Sequence, residues 1–379
     1  MTTYDVGIVG AGIHGAAAAF HLVHRGASVA IVERTTPAGG PTGASSAVCR
    51  AYYTNRFLAE CARDSIAMFE DFETVVGVDA GHRRTGIYYL HPPQDVDGAR
   101  DSVDRLNGLG VATKLLEGER LAAALPGFDL EGIAAAAYEP HAGYADPHAT
   151  TNGLFAAALG SGATAYLGRS ATGVEPGALT LDGGERLACG SILLAAGPWT
   201  GPLATMVGAG LPLTVERHVV ASFRWAGVDP VPAHGDTVGG YYLRPEGEDL
   251  FIVGPLLPEP QVDPDDYDTQ IRSDEIERLA EAIVRRVPRL EGVESTGGWA
   301  SLYDVSPDWQ PVIGQIAPGV FVDAGTSGHG FKLAPALGRH VAAMVLGDPT
   351  DPGLAEFHPD RFEAGGGLAA GYRDARILG

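Results

Sequence analysis

The first 33 residues constrain the fold of this chain more than any other stretch. Residues 4–9 are a short apolar run rich in β-branched side chains, which predicts a buried parallel strand. The sequence GAGIHG follows at residues 10–15, and residues 16–25 then have a helical pattern that ends at Gly26. A second buried strand is predicted over residues 28–33. A strand, a glycine-rich turn, a helix and a strand in this order predict a βαβ unit at the start of an α/β domain.

The GAGIHG turn has the glycine spacing of a dinucleotide-binding motif. Gly10 permits the tight turn, Gly12 lets a pyrophosphate approach the backbone, and Gly15 lets the helix pack against the strand. The N-terminus of the helix offers unpaired N–H groups to phosphate. Glu33 lies 18 residues after Gly15, close to the spacing of about 20 residues expected of a carboxylate that binds a ribose 2′-hydroxyl, so NADP is disfavoured. The alternative is a plain βαβ unit whose glycines serve packing alone.

A stretch of small and hydroxyl-bearing residues follows the second strand. Residues 39–50 read GGPTGASSAVCR, and such residues let backbone and serine hydroxyls approach a large flat cofactor. NAD and FAD share the glycine motif, and this stretch favours FAD. The alternative for these residues is a flexible loop.

Composition excludes several kinds of partner. The chain has 26 lysines and arginines against 47 aspartates and glutamates, a formal net charge of −21, which argues against nucleic acid and anionic membrane surfaces. Cys49, Cys61 and Cys189 are spaced for neither a zinc site nor a disulfide framework, so we expect reduced thiols and no metal. The N-terminus lacks the basic region of a signal peptide, and the apolar stretch at 6–20 is too short and polar to span a bilayer. We therefore expect a cytoplasmic protein without a membrane span.

The rest of the pattern mixes helices and strands. Helices are predicted at 56–72, 95–124, 146–159, 273–287 and 333–346, and strands at 84–90, 163–167, 179–194 with a turn at 182–184, 191–196, 215–225, 240–244, 250–253 and 320–324. Buried strands of the mononucleotide-binding type recur in three separate places, with mixed or antiparallel segments between them. The order predicts an α/β fold (α+β overall) with a Rossmann-type dinucleotide domain, residues 1–80, 141–208 and 300–379, and an inserted substrate domain of mixed or antiparallel sheet, residues 81–140 and 209–299.

Four stretches resemble the FAD-dependent D-amino-acid oxidase superfamily. They are GAGIHG with Glu33, TGASSAVCRAYY at 42–53, LLAAGPW at 193–199, and SLYDVSPDWQPVIGQ with VFVDAGTSGHGFKLAPALG between 301 and 338. Many families share the first stretch, whereas the last is the most specific. Within the superfamily the chain is most similar to the branch of sarcosine oxidases and of dimethylglycine and sarcosine dehydrogenases, and D-amino-acid dehydrogenases are near relatives.

The resemblance implies a set of residues around FAD. Glu33 would hold the adenosine ribose, Ser45 and Ser46 would lie near the pyrophosphate and the flavin, and Ala171 would contact adenine through its backbone. The loop at 328–332 would face the flavin ring, where the N-terminus of the following helix favours the negative charge that hydride transfer brings. The implied cofactor residues are Gly10, Gly12, Ile13, His14, Gly15, Glu33, Arg34, Ser45, Ser46, Ala171, Ala196, Gly197, Trp199, Gly328, His329, Gly330, Phe331 and Lys332.

Two cations are implied in substrate binding. In the branch that the chain resembles, positions matching Arg50 and Lys332 hold the substrate carboxylate at two points, which fixes the α-carbon over flavin N5. The alternatives are a surface salt bridge for Arg50 and a solvated lysine at a helix start for Lys332. We interpret His14 as a packing residue rather than a catalyst.

Aromatic residues are expected to shape the rest of the substrate pocket. Tyr242 matches a tyrosine that lines the substrate site in the sarcosine branch, and Tyr53 and Tyr303 fall beside matched motifs. Packing remains the alternative for each of these tyrosines. Arg244 shares a strand face with Tyr242 and is a candidate second partner of the carboxylate. His329 is implied next to the flavin, where it would serve orientation or proton transfer.

The chain departs from the family pattern at two places. Some sarcosine oxidases attach flavin to a cysteine at the position of Ser301, and some dehydrogenases use a histidine in the stretch that here is Ala-Ser-Ser-Ala at 44–47, so we predict non-covalent FAD. The oxidases place a lysine over the flavin where this chain has Ile252. Because that lysine promotes the reaction with oxygen, its replacement favours a dehydrogenase.

These features predict an FAD-dependent enzyme that oxidises the C–N bond of an amino acid. The substrate would be an N-methylated, secondary or D-amino acid with a carboxylate, hydride would pass to flavin N5, and the imine would hydrolyse. The alternatives are an FAD-dependent 2-hydroxy-acid dehydrogenase, which the GHGFK segment disfavours, and a non-catalytic flavin-binding subunit. The sequence identifies neither the electron acceptor nor the oligomeric state.

Overall fold

The computed structural model of the chain describes residues 3–225, 227, 230–363 and 365–368, so the end of the last predicted dinucleotide segment, 369–379, lies outside the described residues. The strands are β1 (Thr3–Val9), β2 (Val29–Glu33), β3 (Val48–Cys49), β4 (Arg83–Arg84), β5 (Ile87–His91), β6 (Lys114–Glu117), β7 (Ala135–Glu139), β8 (Gly143–Tyr144), β9 (Thr164–Leu167), β10 (Ala171–Glu175), β11 (Ala178–Leu181), β12 (Arg186–Leu194), β13 (Thr214–Arg224), β14 (His234–Asp236), β15 (Tyr241–Glu246), β16 (Leu250–Pro255), β17 (Glu294–Val305), β18 (Val312–Ala317) and β19 (Val320–Ala324). The helices are α1 (Ile13–Val23), α2 (Arg56–Glu70), α3 (Phe72–Val76), α4 (Val96–Gly108), α5 (Gly118–Ala124), α6 (Pro147–Gly160), α7 (Thr200–Thr205), α8 (Ser273–Arg286) and α9 (Gly330–Leu346).

The first sheet contains the predicted βαβ unit. Its strands lie in the order β10-β11-β12-β1-β2-β9, and β19 also pairs with β12 and with β18. β1 runs parallel to β2 and β12, and β12 runs parallel to β19. Val6 and Ile8 of β1 point into the core shared with α1, whereas Tyr4 and Val9 belong to the core on the opposite face. Because β1 is buried on both faces, its sequence is a nearly continuous apolar run.

The second sheet has one face covered by a helix. Its order is β17-β13-β16-β15-β14-β5-β7-β6, and all its neighbours are antiparallel except the parallel pair β14 and β5. Val219, Ala221 and Phe223 of β13 pack with Leu279 and Ile283 of α8. Side chains alternate along a strand, so the residues between these on β13 point to the opposite face, toward the first sheet.

A small third sheet connects three distant segments. β8 pairs antiparallel with β3 and with β4, which places Cys49 against Gly143. α6 begins directly afterwards, where the Asp146 side chain accepts hydrogen bonds from the backbone N–H groups of His148 and Ala149, as predicted for a capped helix. The chain before Arg50 is thereby fixed at the junction of the two large sheets.

The helical prediction over 95–124 holds for α4 and α5 but is wrong for the strand β6 between them. The chain forms α4, leaves the helix at Gly108–Gly110, and pairs β6 with β7 before α5 begins. Gly110 has φ +80°, a left-handed conformation that ends α4 and that glycine adopts without strain. The long strand β17 was not predicted because its first half is polar and contains two adjacent glycines; it also spans the predicted domain boundary at 299/300.

Candidate active site

A cavity of about 560 Å³ lies between the two large sheets. Its floor is formed where parallel strands end, at Val9 of β1, at Glu33 of β2 and at Ala196 after β12. Val220 and Ala300 of the second sheet line the opposite side. Open parallel sheets bind their ligands outside the carboxyl ends of the strands, which is where this cavity lies.

The glycine-rich turn requires glycine for steric reasons. Gly10 has φ +106°, and a Cβ at this position would lie 2.3 Å from the Ala195 carbonyl oxygen. A Cβ at Gly15 would lie 2.0 Å from the carbonyl oxygen of Gly10. Gly12 precedes α1 and provides no side-chain cap, while the N–H of Ile13 donates to Thr42 Oγ1 at 3.2 Å. The start of α1 therefore offers backbone donors to a ligand in the cavity.

Glu33, the last residue of β2, lies beside this glycine-rich turn. One carboxylate oxygen accepts the backbone N–H of Ala11 at 2.9 Å, and the other accepts the N–H and hydroxyl of Thr35 at 2.8 and 3.0 Å. These bonds hold the carboxylate beside the start of α1, where it lines the cavity. A carboxylate fixed in this way can accept hydrogen bonds from a ribose.

The rim of the cavity is closed by a contact between distant segments. The Arg34 guanidinium lies 3.7 Å from the centre of the Trp199 ring, and Arg34 Nη1 donates to Asp265 at 3.1 Å. The Trp199 indole N–H donates to the same carboxylate at 2.9 Å. Pro264 and Tyr267 line the cavity on either side of Asp265. The segment around Asp265 thus lies across the dinucleotide end of the cavity.

One face of the second sheet forms the roof. His218 and Val220 of β13 stand opposite Ser301 and Trp299 of β17, and opposed residues of antiparallel strands point to the same side. On the antiparallel strands β15 and β16, Arg244 stands opposite Ile252, so these two side chains also share a face. The Trp299 indole N–H donates to the Ala44 carbonyl at 2.7 Å, and Arg244 Nε donates to the Ser46 carbonyl at 2.6 Å. These two bonds fasten the 44–46 loop to the roof.

His14 joins three separate pieces of the cavity wall. Its Nδ1–H donates to Asp323 at 2.8 Å, and its Nε2 lies 3.2 Å from the Gly330 carbonyl oxygen, which can only accept. Both ring nitrogens therefore donate, which requires the imidazolium form. Burial alone would lower the pKa of His14, but the carboxylates of Asp323 and Asp304 outweigh it and the pKa is raised. His14 is a buried cation as well as a packing residue.

A smaller pocket of about 60 Å³ opens beside the large cavity. Ser46, Tyr242, Tyr303 and Gly328 line both, so the two spaces are adjacent. The walls of the pocket are mostly apolar or aromatic, and the ionisable side chains in its lining are mainly basic. The remaining lining residues are Val48, Arg50, Ile87, Tyr89, His234, Gly235, Leu243, Arg244, Leu256 and Lys332.

Arg50, Arg244 and Lys332 are basic residues in the lining of the small pocket. Arg50 is 5% exposed and Lys332 is 6% exposed. Burial, and then the Arg50 guanidinium, hold the pKa of Lys332 well below its ordinary value. The Lys332 amine contacts the Gly328 carbonyl at 3.4 Å. A buried guanidinium and a buried amine in one pocket favour a bound anion, and a bound anion in turn favours the protonated form of Lys332.

Arg244, also predicted near the substrate, is held by the protein itself. Besides its bond to Ser46, its Nη1 donates to the Pro245 carbonyl at 2.9 Å and to Glu246 at 2.6 Å. Its guanidinium also lies over the Tyr144 ring. This geometry favours a role for Arg244 in fixing the 44–46 loop rather than in binding the carboxylate of a substrate.

Tyr53 and His329 lie behind the pocket and are absent from its lining. The Tyr53 hydroxyl and His329 Nδ1 are 3.2 Å apart, and the Arg50 guanidinium lies 4.5 Å from the centre of the Tyr53 ring. Burial, and then the charges of Lys332 and Arg50, hold the pKa of His329 well below its ordinary value, so its imidazole is neutral. Burial raises the pKa of Tyr303 and that of Tyr242, which keeps both phenols protonated at the junction of the two spaces.

Residues 5–344 match the protein family DAO, described as FAD dependent oxidoreductase. The chain belongs to this family. It is 26% identical to monomeric sarcosine oxidase of Streptomyces avermitilis over 96% of this chain and 98% of that protein. It is 27% identical to glycine oxidase of Geobacillus kaustophilus over 93% and 96% of the two chains. The structure of L-proline dehydrogenase from P. horikoshii superposes with a TM-score of 0.86 at 23% identity, over 96% of this chain and 99% of that one, which shows a common fold.

Like the rest of its family, this FAD-dependent oxidoreductase has a cavity suited to FAD. Gly10 and Gly12 line the cavity without side chains, so a pyrophosphate can approach the backbone there, and the start of α1 supplies N–H donors. Glu33 is placed for a ribose. Among the described residues none of the helices has both the length and the apolar character that a membrane crossing requires.

Most residues predicted around the cofactor line the large cavity. Gly15 lies behind it, against Gly10, and His329 and Lys332 lie on the side of the small pocket. The predicted cofactor residues that line the cavity are Gly10, Gly12, Ile13, His14, Glu33, Arg34, Ser45, Ser46, Ala171, Ala196, Gly197, Trp199, Gly328, Gly330 and Phe331.

Sequence reasoning missed a buried histidine and carboxylate pair in the roof. His218 lines the large cavity and stacks on Tyr303 with ring centres 3.9 Å apart, and its Nε2–H donates to Glu216 at 3.1 Å. Nδ1 of this histidine has no partner among the described residues. The alternation of Glu216 and His218 along a predicted strand is a signal that could have placed both on one face.

Proposed function

We propose that the protein oxidises the C–N bond of a small amino acid, N-methylated, secondary or of D configuration, to an imine that then hydrolyses. Bound FAD supplies the two-electron acceptor for hydride. The substrate carboxylate would lie between Arg50 and Lys332, with the α-carbon toward the junction of the pocket and the large cavity.

The pairing of Arg50 with Lys332 carries this proposal. These residues come from a loop after β3 and from α9, yet both line a pocket of only about 60 Å³. Arg50 presents a planar fork suited to a carboxylate, and Lys332 provides a compact point charge. Holding one carboxylate at two points restricts the orientation of the α-carbon, which lowers the entropic cost of hydride transfer. Tyr242 and Tyr303 stand at the junction, where they restrict the reacting group on the side facing FAD.

The start of α9 supports the electron-accepting side of the reaction. Gly328 has φ +81°, and a Cβ there would lie 2.6 Å from the Tyr303 ring, so the backbone comes close to the junction. The helix begins at Gly330 without a side-chain cap. Its free N–H groups and the helix dipole favour negative charge in the adjoining cavity, which is the charge that a reduced cofactor carries.

Ile252 favours a dehydrogenase over an oxidase. Its side chain shares the roof face with Arg244 and provides no cation there. We also propose that FAD is bound non-covalently, since Ser301 stands where a cysteine would attach it, and that the protein is cytoplasmic. Turnover with an artificial electron acceptor should far exceed turnover with oxygen, and denatured, precipitated protein should lose its yellow colour. Comparable turnover with oxygen would contradict the first expectation, and a yellow precipitate the second.

An anaerobic substrate screen tests the reaction itself. The holoenzyme is mixed with N-methyl, secondary and D-amino acids, with their amides as controls that lack the carboxylate, and with 2-hydroxy acids of the same carbon skeleton. We expect the flavin absorbance to bleach with one or more of the amino acids and to stay unchanged with the amides. Bleaching by hydroxy acids alone would establish the 2-hydroxy-acid dehydrogenase instead, and no bleaching at all would favour a non-catalytic flavin-binding subunit.

A further inference from the structure

A buried carboxylate stands behind the pocket that holds Arg50 and Lys332. Glu139, at the end of β7, is 1% exposed. One oxygen of its carboxylate accepts the backbone N–H of Ala51 at 2.7 Å. The other accepts the backbone N–H of Tyr52 at 3.1 Å and the Tyr89 hydroxyl at 3.3 Å. The proposed reaction assigns this group no task.

The hydrogen bonds of Glu139 lead directly to the pocket. Ala51 and Tyr52 follow Arg50 in the chain, and Arg50 Nη1 donates to the Tyr52 carbonyl at 2.5 Å. The Tyr89 ring lines the pocket and stacks on Tyr52 with ring centres 4.5 Å apart. Glu139 itself is absent from the lining. Its carboxylate therefore fixes the segment that carries Arg50 and one aromatic wall, without contact with the space where a substrate would lie.

Charge also couples Glu139 to the pocket. Burial raises the pKa of Glu139 to about 7, against the opposing effects of the Ala51 N–H and the Arg50 guanidinium. A substrate carboxylate beside Arg50 would be a second anion near the same cation, and like charges at close range favour protonation of one of them. Lys332 and Arg244 also line this pocket, and Arg244 pairs with Glu246. Among the described residues, Cys49, Tyr53 and Tyr89 also interact electrostatically with Glu139.

We propose that Glu139 positions Arg50 as the internal counter-ion of the pocket and takes up a proton from solvent when a substrate carboxylate binds. One carboxylate and one proton enter together, so the net charge of the pocket is unchanged and no covalent bond forms or breaks. Because this role presupposes a carboxylate between Arg50 and Lys332, it rests on the proposed function. Glu139 is a positioning residue, since it touches neither substrate nor cofactor.

Binding of acetate to the holoenzyme tests this role. Acetate has the carboxylate of the substrate without a reacting amine, and its dissociation constant is read from the perturbation of the flavin absorbance between about pH 5.5 and about pH 8.5. In the wild type the Kd should stay level below about pH 7 and rise above it, by up to about tenfold per pH unit, because the proton is needed for binding. A pH indicator in weak buffer should show proton uptake on binding.

Three variants separate a charge effect from a structural one. Glu139→Gln cannot titrate, so its Kd should lose the rise that starts near neutral pH, together with that part of the proton uptake. Any titration of Lys332 remains in both proteins and cancels in the comparison. Glu139→Asp should keep the rise. Glu275→Gln is the matched control, since Glu275 is also buried and pairs with Arg217 far from the pocket, and it should leave the profile unchanged.

The outcomes distinguish this inference from the function on which it rests. If Glu139→Gln binds acetate with the same pH profile and proton uptake as the wild type, Glu139 is not the counter-ion. If Glu139→Gln fails to fold, Tyr89→Phe replaces it: loss of the hydroxyl bond should raise the pKa of Glu139 and move the rise in Kd to higher pH, and an unmoved profile would overturn the inference. If neither acetate nor any amino acid perturbs the wild-type flavin, the proposed substrate clamp itself is wrong.

Discussion

The large cavity and the small pocket beside it are built from different parts of the chain. The floor of the large cavity is mainly backbone, from a glycine turn, the start of α1 and the ends of parallel strands. The small pocket is made mainly of side chains, among them the buried basic residues Arg50 and Lys332. Backbone contacts recognise what all dinucleotides share, whereas side chains provide the charge that selects one class of substrate. A change of shape should therefore damage the first site most, and a change of charge should damage the second.

The largest effect is expected from Gly10→Ala. The added Cβ would lie 2.3 Å from the Ala195 carbonyl oxygen, and φ +106° is strained for alanine. Backbone strain of this kind costs about 1–3 kcal/mol, and the clash adds to it, so the purified variant should contain little or no FAD. The measurement is the ratio of flavin to protein absorbance. Gly201→Ala in α7 is the control, because its Cβ would meet open space and FAD content should stay normal. A Gly10→Ala protein with full FAD content would show that the turn does not need glycine.

Lys332→Met should damage catalysis and leave the cofactor site intact. Losing one partner of a buried charge pair costs about 2–5 kcal/mol, so kcat/KM for the amino acid found in the screen should fall by about 30-fold or more. FAD content should be unchanged. The free energy of unfolding should not decrease, because burial disfavours the charged lysine and methionine fills similar space. Lys114→Met, at an exposed position of β6, should behave like the wild type. Unchanged kcat/KM in Lys332→Met would contradict the proposed clamp.

His14→Gln should give a smaller effect that depends on pH. The folded protein raises the pKa of His14 above its ordinary value, so the protonated histidine stabilises the fold fully below about pH 6.5, and this contribution is lost as pH rises through the raised pKa. The variant should be less stable by about 1–3 kcal/mol at low pH, because Asp323 loses its charged partner, and the gap to the wild type should narrow at alkaline pH. Urea unfolding at several pH values measures this gap. A gap that stays constant with pH would mean that His14 is neutral in the folded protein.

The difference between the large cavity and the small pocket also explains which site residues could be predicted from the sequence. The βαβ unit, Glu33 and the turn at Gly10–Gly15 lie within one short stretch, so spacing alone places them. Arg50 and Lys332 were found only through resemblance, because no local pattern indicates that a loop after β3 and a helix near the end of the chain line one pocket. Glu139 has no sequence signal at all, since it is a single carboxylate at the end of an apolar strand. The helical prediction over 95–124 missed β6 because a glycine-ended helix and a short edge strand have similar alternation of polar and apolar residues.

The rim of the large cavity is the exception to this division, because side chains close a site that backbone builds. Asp265 accepts hydrogen bonds from Arg34 and from the Trp199 indole, and Pro264 and Tyr267 beside it line the cavity. Asp265→Asn keeps an acceptor for Trp199 and removes the charge that pairs with Arg34. Exposed ion pairs contribute about 1 kcal/mol or less, so FAD should dissociate about two- to fivefold faster while kcat stays unchanged.

The rate of FAD loss in the presence of an apoflavoprotein that traps the free cofactor measures the closure of the rim. Glu60→Gln is the matched control, since it breaks the exposed pair between Arg56 and Glu60, and neither residue lines the cavity. Equal rates in Asp265→Asn and Glu60→Gln would show that the rim does not retain FAD. Retention would then depend on the backbone floor alone, and the division between a backbone-built and a side-chain-built site would hold without exception.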